Sequence, residues 1–159
     1  MIKKYVYGEP FETEALTENI ETAEGKPGYG EICAEDGFSF TYIMDEEDIV
    51  YGLGESNRGI NKRGFIYTSN CTDDPEHTED KHYGAHNLII VSGKETFGMF
   101  FDYPAAITFD IGYTRMDTMK VTCENADLKL YVIEGESPYD IVKQFRHVIG
   151  RSYIPPKFA

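Results

Sequence analysis

The run Asn87-Leu88-Ile89-Ile90-Val91, then Ser92-Gly93-Lys94-Glu95, then Thr96-Phe97-Gly98-Met99-Phe100-Phe101, decides the fold class. Two apolar stretches, each too short for a helix, flank a polar break containing glycine. This is the pattern of a hairpin whose strands are well buried. Towards the C-terminus, Ile107-Thr108-Phe109-Asp110-Ile111 and Met119-Lys120-Val121-Thr122-Cys123 alternate apolar and polar, as half-buried strands do. Asp127 to Ile133 gives another strand, ended by Glu134-Gly135. Towards the N-terminus, Phe38-Ser39-Phe40-Thr41-Tyr42-Ile43-Met44 alternates in bulk. The acidic turn Asp45-Glu46-Glu47-Asp48 separates it from Ile49-Val50-Tyr51. About nine or ten short strands at spacings near ten residues predict an all-β sandwich or barrel.

Composition agrees. Tyr and Phe number 12 and 10, and β-branched Ile and Val far outnumber Leu, a bias that suits pleated surfaces. One segment departs from it. Ser137-Pro138-Tyr139-Asp140 supplies an N-cap, a proline for the first helical position and an early acid. Ile141, Val142, Phe145, Val148 and Ile149 then recur at helical spacing, and Gly150 is the stop. This predicts one amphipathic helix over about 138–149. Beyond it, Arg151 to Ala159 carries Pro155-Pro156 and apolar Tyr153, Ile154 and Phe158, the composition of an extended linker rather than a frayed end. The expected organisation is a sandwich domain over 1–150 and a linker over 151–159.

At 159 residues the chain is long enough for one domain with a substantial core. Its 28 acids against 15 Lys and Arg leave a net charge of −13, which argues against nucleic acid as a partner. Between Glu9 and Asp48 the only cation is Lys26. No apolar run approaches the ~20 residues of a membrane span, and Met1-Ile2-Lys3-Lys4-Tyr5 lacks the apolar region of a secretory signal. Cys33, Cys71 and Cys123 are odd in number and widely spaced, so reduced thiols and a cytoplasmic location are expected, with no membrane partner.

Tyr51-Gly52-Leu53-Gly54-Glu55-Ser56-Asn57-Arg58-Gly59 invites comparison with a phosphate loop, but Asn57 stands where the third glycine would be and no helix pattern follows. It reads as a strand leaving a sheet through flexible turns. His77, His82 and His86 lie among acids without the spacing of a zinc site, so no metal or other cofactor is expected. No nucleophile elbow is present. Glycoside hydrolysis needs two carboxylates at set separations, and no spacing here selects such a pair. The most site-like loop is Ser69-Asn70-Cys71-Thr72-Asp73-Asp74-Pro75. Asp73 and Asp74 can accept hydrogen bonds from sugar hydroxyls, or serve as ordinary turn residues.

Several segments in order resemble the N-terminal domain of glycoside hydrolase family 31, the α-glucosidase family. They are Tyr51-Gly52-Leu53-Gly54-Glu55, Asn70 to Pro75, Tyr83-Gly84-Ala85-His86 and Gly98-Met99-Phe100-Phe101. The last is the C-terminal run from Tyr131 through Pro138, Phe145 and Ile149-Gly150-Arg151 to Ile154-Pro155-Pro156-Lys157. The similarity covers about residues 48–159. It implies a β-sandwich of galactose-mutarotase-like topology packed against a (β/α)8 barrel. That barrel would supply an aspartate nucleophile and an aspartate acid/base for retaining hydrolysis of α-linked glucosides. This chain would then hold no catalytic residue, and Asp73, followed by Asp74, would contact the α-glucoside substrate at the entrance. Two departures stand out: Phe158 replaces the usual Trp, and Phe101-Asp102-Tyr103-Pro104 replaces an asparagine-containing turn. Two other functions remain open, a free-standing carbohydrate-binding module and a mutarotase-like enzyme with His86 as its acid. An exposed apolar barrel-facing surface would also favour a homo-dimer.

Overall fold

The computed structural model describes residues 1–12, 16, 20–56, 58–71 and 83–157. Among them are ten strands and one helix. In chain order the strands are β1 (Ile2–Tyr7), β2 (Glu31–Cys33), β3 (Phe38–Ile43), β4 (Ile49–Gly54), β5 (Phe65–Ser69), β6 (Ala85–Ser92), β7 (Thr96–Asp102), β8 (Ile107–Ile111), β9 (Thr118–Cys123) and β10 (Leu128–Glu134). Helix α1 (Pro138–Ile149) follows. The first sheet has the order β1-β10-β7-β6-β4 and the second β2-β3-β9-β8-β5. Every strand pair is antiparallel, as expected where no helical crossovers intervene.

The inner faces of the two sheets meet in a core that includes Phe38, Phe40, Met99, Phe101, Phe109 and Val121. Phe101 stands edge-on to both Phe38 and Phe109, the arrangement that ring quadrupoles favour. A second apolar layer lies on the outer face of the first sheet. There Leu88, Ile90, Tyr131 and Ile133 meet Ile141, Phe145 and Val148 of α1. With both faces covered, β10 is buried from Leu128 to Ile133, and the unbroken apolar run of β6 has the same cause. Each of the three buried helix side chains contributes about 1.5–3 kcal/mol by leaving water.

The helix begins and ends where its sequence signals lie. Ser137 Oγ accepts the Asp140 amide at 3.2 Å, and Gly150 takes a positive φ of 79°. Arg146 and His147 occupy the last turn, where the helix dipole favours cations. Gln144 ties the helix to the sheet through the Glu134 carbonyl (2.8 Å), and its side-chain oxygen accepts from the Met1 ammonium (2.8 Å). Beyond Gly150 the described residues form no regular element, and Tyr153 and Ile154 are 81% and 86% exposed. No helix among the described residues is long and apolar enough to cross a membrane.

Candidate functional site

Three strand ends converge at one end of the sandwich: the finish of β4, the finish of β5 and the start of β6. Gly52, Leu53 and Gly54 have φ values of +122°, +68° and +78°, and pairing with β6 shifts register between Gly52 and Gly54. This is a β-bulge of three successive left-handed residues, not the flexible turn expected from its glycines. Glycine is required on both sides. A Cβ at position 52 would overlap the Leu88 carbonyl oxygen, and one at position 54 the Gly84 carbonyl oxygen. Leu53 tolerates its conformation because its side chain is buried in the core.

The bulge aims Glu55 at the start of β6, and the Glu55 amide donates to the Gly84 carbonyl at 2.8 Å. Ser69 at the end of β5 donates to the Asn87 side-chain oxygen. Asn87 in turn donates to the Tyr103 carbonyl at 3.4 Å, and the Ala85 amide reaches the Cys71 sulfur at 3.3 Å. Between these strands lies a hollow of about 20 Å³, lined by Leu53, Glu55, Ser56, Ser69, Asn70 and Ala85 among others. That is room for about one water or one hydroxyl group. Its carboxylate, hydroxyls and amide suit an alcohol that both donates and accepts.

Asp73 and Asp74 lie outside the described residues, as do His77 and His82. Both described shoulders of their segment, Ser69–Cys71 and Tyr83–Ala85, border the hollow or bond across it. Sequence reading missed the hollow itself, because Glu55 and Ser69 are brought together only by the pairing of β4 with β6 and the approach of β5. The Gly-Leu-Gly triplet was its one legible signal.

His86 projects from β6 beside the rings of Phe100 (6.4 Å) and Phe145 (5.6 Å). Desolvation by those neighbours holds its pKa below the ordinary imidazole value. Among the described residues no carboxylate is hydrogen-bonded to it. Nor do any three His, Cys, Asp or Glu side chains among the described residues form a group that could hold a metal. Burial pushes the Cys123 thiol up to about 12, which leaves it an inert core group.

An antiparallel two-sheet sandwich with a polar end and one helix on an outer face defines a β-sandwich module, and comparison with known proteins shows which. Residues 8–110 match the glycosyl hydrolase 31 N-terminal galactose mutarotase-like domain, and the chain belongs to that family. It is 34% identical over 146 residues to alpha-glucosidase 2 of Bacillus thermoamyloliquefaciens, covering 86% of this chain and 18% of that protein. It is 24% identical over 165 residues to an alpha-glucosidase of Saccharolobus solfataricus, covering 99% of this chain and 24% of the other. Among solved structures, a Flavobacterium johnsoniae family 31 dextranase complexed with isomaltotriose superposes with a TM-score of 0.72 at 22% identity. The match covers 79% of this chain and 16% of that one, and it shows the shared fold. The chain thus spans about a quarter or less of the length of these relatives.

Proposed function

We propose that this chain is the N-terminal accessory domain of an α-glucosidase that cleaves α-linked glucosides by retention. In this reading 1–150 is the sandwich and 151–159 the linker to a (β/α)8 catalytic barrel. The barrel supplies the nucleophile and the acid/base, and the 159-residue chain alone is silent. Asp73, with Asp74 beside it, accepts hydrogen bonds from substrate hydroxyls at the barrel mouth. A fixed carboxylate there rejects analogues lacking the hydroxyl, because the loss leaves a polar group unpaired. The enzyme works in the cytoplasm, and the isolated chain self-associates through its exposed barrel-facing apolar surface, Tyr153 and Ile154 included.

The observation that carries the reading is the 34% identity to an alpha-glucosidase within a domain match over residues 8–110. The polar hollow between the shoulders of the Asp73 segment supports placing substrate contacts at that end. The test is hydrolysis of an aryl α-glucoside. The purified 159-residue chain is expected to show none, and the gene's longer product to show turnover. Asp73→Ala in that product should raise KM by roughly tenfold, the loss of one charge-assisted hydrogen bond of about 1.5 kcal/mol. Turnover by the short chain overturns the accessory role, and an unchanged KM overturns the assignment of Asp73.

A further inference from the structure

The segment after β1, Gly8-Glu9-Pro10-Phe11-Glu12, carries an aromatic side chain between acids. It is pinned at both ends. The Glu9 amide donates to Asp127 Oδ1 at 2.9 Å, and the Glu12 carboxylate accepts from Lys129 at 2.9 Å. Gly8 makes the close approach possible, because a Cβ there would overlap Asp127 Oδ1. Between these anchors the fixed φ of Pro10 precedes Phe11, whose ring stays exposed. Nearby, the Tyr103 hydroxyl accepts the Asn125 amide at 3.4 Å, which ties the β7–β8 turn to the β9–β10 turn.

These three segments surround a cavity of about 290 Å³, lined by Glu9, Phe11, Tyr103, Pro104, Asn125 and Asp127 among others. Tyr103 is only 7% exposed, and its hydroxyl proton has no acceptor among the described residues. The Glu9 carboxylate, Asp127 Oδ2 and the Asn125 side-chain nitrogen likewise have no hydrogen bond or ion pair to a described residue. The cavity therefore offers two aromatic rings, carboxylate acceptors, an amide donor and a hydroxyl donor. Two acids repel a phosphate or carboxylate ligand. A cation satisfies the acids but leaves the amide and hydroxyl protons without an acceptor. A sugar hydroxyl both donates and accepts, and a pyranose ring also brings an apolar C–H face for the aromatic rings.

The cavity shares an end of the sandwich with the hollow beside Glu55, since Tyr7 pairs with Leu128, Lys129 with Asp102 and Gly54 with Ala85. It occupies the opposite corner of that end. Strands β1 and β4 are the two edges of the first sheet, four strand spacings or roughly 20 Å apart. Ile149 at the end of α1 borders Gly52 and Gly54 on the β4 side, so the chain leaves its helix at the edge far from the cavity. Asn87 links the two places. It accepts from Ser69, which lines the hollow, and donates to the carbonyl of Tyr103, which lines the cavity.

We propose that this cavity holds one pyranose unit of an α-glucan, its C–H face on Phe11 and its hydroxyls shared among Glu9, Tyr103, Asn125 and Asp127. The choice of a glucosyl unit rests on the proposed function, whereas the choice of a pyranose rests on the cavity alone. Longer α-glucans then gain a contact that a single glucoside lacks.

The test is titration of the isotope-labelled 159-residue chain with maltotriose, followed by amide NMR. Shifts should concentrate at Glu9, Phe11, Ala105, Asn125 and Asp127 and saturate with a Kd of about 1–10 mM. Phe11→Ala removes the stacking surface and should weaken binding at least about fivefold, and Glu9→Gln about threefold. Both side chains are exposed, so neither variant loses the fold. Because the titration needs no catalysis, its result stands whether or not the longer product hydrolyses α-glucosides. Cavity amides unmoved at about 50 mM maltotriose overturn the inference, as do shifts confined to Ser69–Cys71 and Tyr83–Ala85. An unchanged Kd in the Phe11→Ala variant overturns it too. So do larger shifts at the same amides with arginine amide, which make the cavity a cation site. Binding that the longer product lacks also overturns it, by giving the cavity to the following domain.

Discussion

Gly52 holds φ at +122° directly against the Leu88 carbonyl oxygen, so it faces both a steric and a conformational barrier to any side chain. Gly52→Ala should therefore lower the unfolding free energy by more than about 2 kcal/mol in urea titration. Gly59→Ala, with open space at its Cβ and no positive φ, should stay within about ±0.5 kcal/mol. Equal effects at the two sites would remove the argument for a required bulge. His86 makes a second prediction at this scale. Its folded pKa lies below the ordinary 6.5, so the unfolded chain binds the proton first as pH falls. Stability is fully present above about 6.5 and declines as pH drops from there towards the folded value. His86→Phe keeps a ring between Phe100 and Phe145 without the titration. The loss of Tm between pH 7.5 and 5.5 should be smaller in the variant than in the parent, and an equal loss would exclude His86 as its source.

Helix α1 seats on the first sheet at a position that glycine makes possible. A Cβ on Gly98 of β7 would overlap Ile141 Cγ2, so the helix sits closer there than any side chain would permit. Gly98→Val should push the helix outward and cost about 1–3 kcal/mol. Amide exchange in 141–148 should accelerate more than exchange in β8 and β9, which lie in the other sheet. Uniform acceleration would mean that the whole sandwich, rather than its helix, answers to Gly98. Most elements were legible because their side chains repeat with the period of their backbone: every second residue in β8 and β9, and every three to four in α1. Even the helix bounds of 138–149 followed from local capping chemistry at Ser137 and Gly150. The bulge at Gly52–Gly54 was not legible, because its register depends on β6, over thirty residues away. Nor was the pairing of β1 with β10, which joins the first strand to the last. The functional end was legible only by motif, since the hollow beside Glu55 and Ser69 exists in pairing rather than in spacing.

For the molecule as a whole, the sandwich and its helix should form one cooperative unit that owes nothing to the residues beyond Gly150. Residues 151–157 are all exposed and belong to no strand or helix, whereas Ile141, Phe145 and Val148 are buried against the first sheet. Among the described residues, ending the chain after Gly150 therefore removes no buried side chain from the folded state. The unfolding free energy should change by no more than about 0.5 kcal/mol, with the transition still two-state by fluorescence and circular dichroism. Ending it after Glu136 instead strips the cover from Leu88, Ile90, Tyr131 and Ile133. The three helix side chains at about 1.5–3 kcal/mol each then account for a loss near half or more of a typical domain's stability. The contrast between the two truncations locates the domain boundary. If removing 151–159 proves as damaging as removing the helix, the segment is part of the folded unit, and its reading as a linker to a second domain fails.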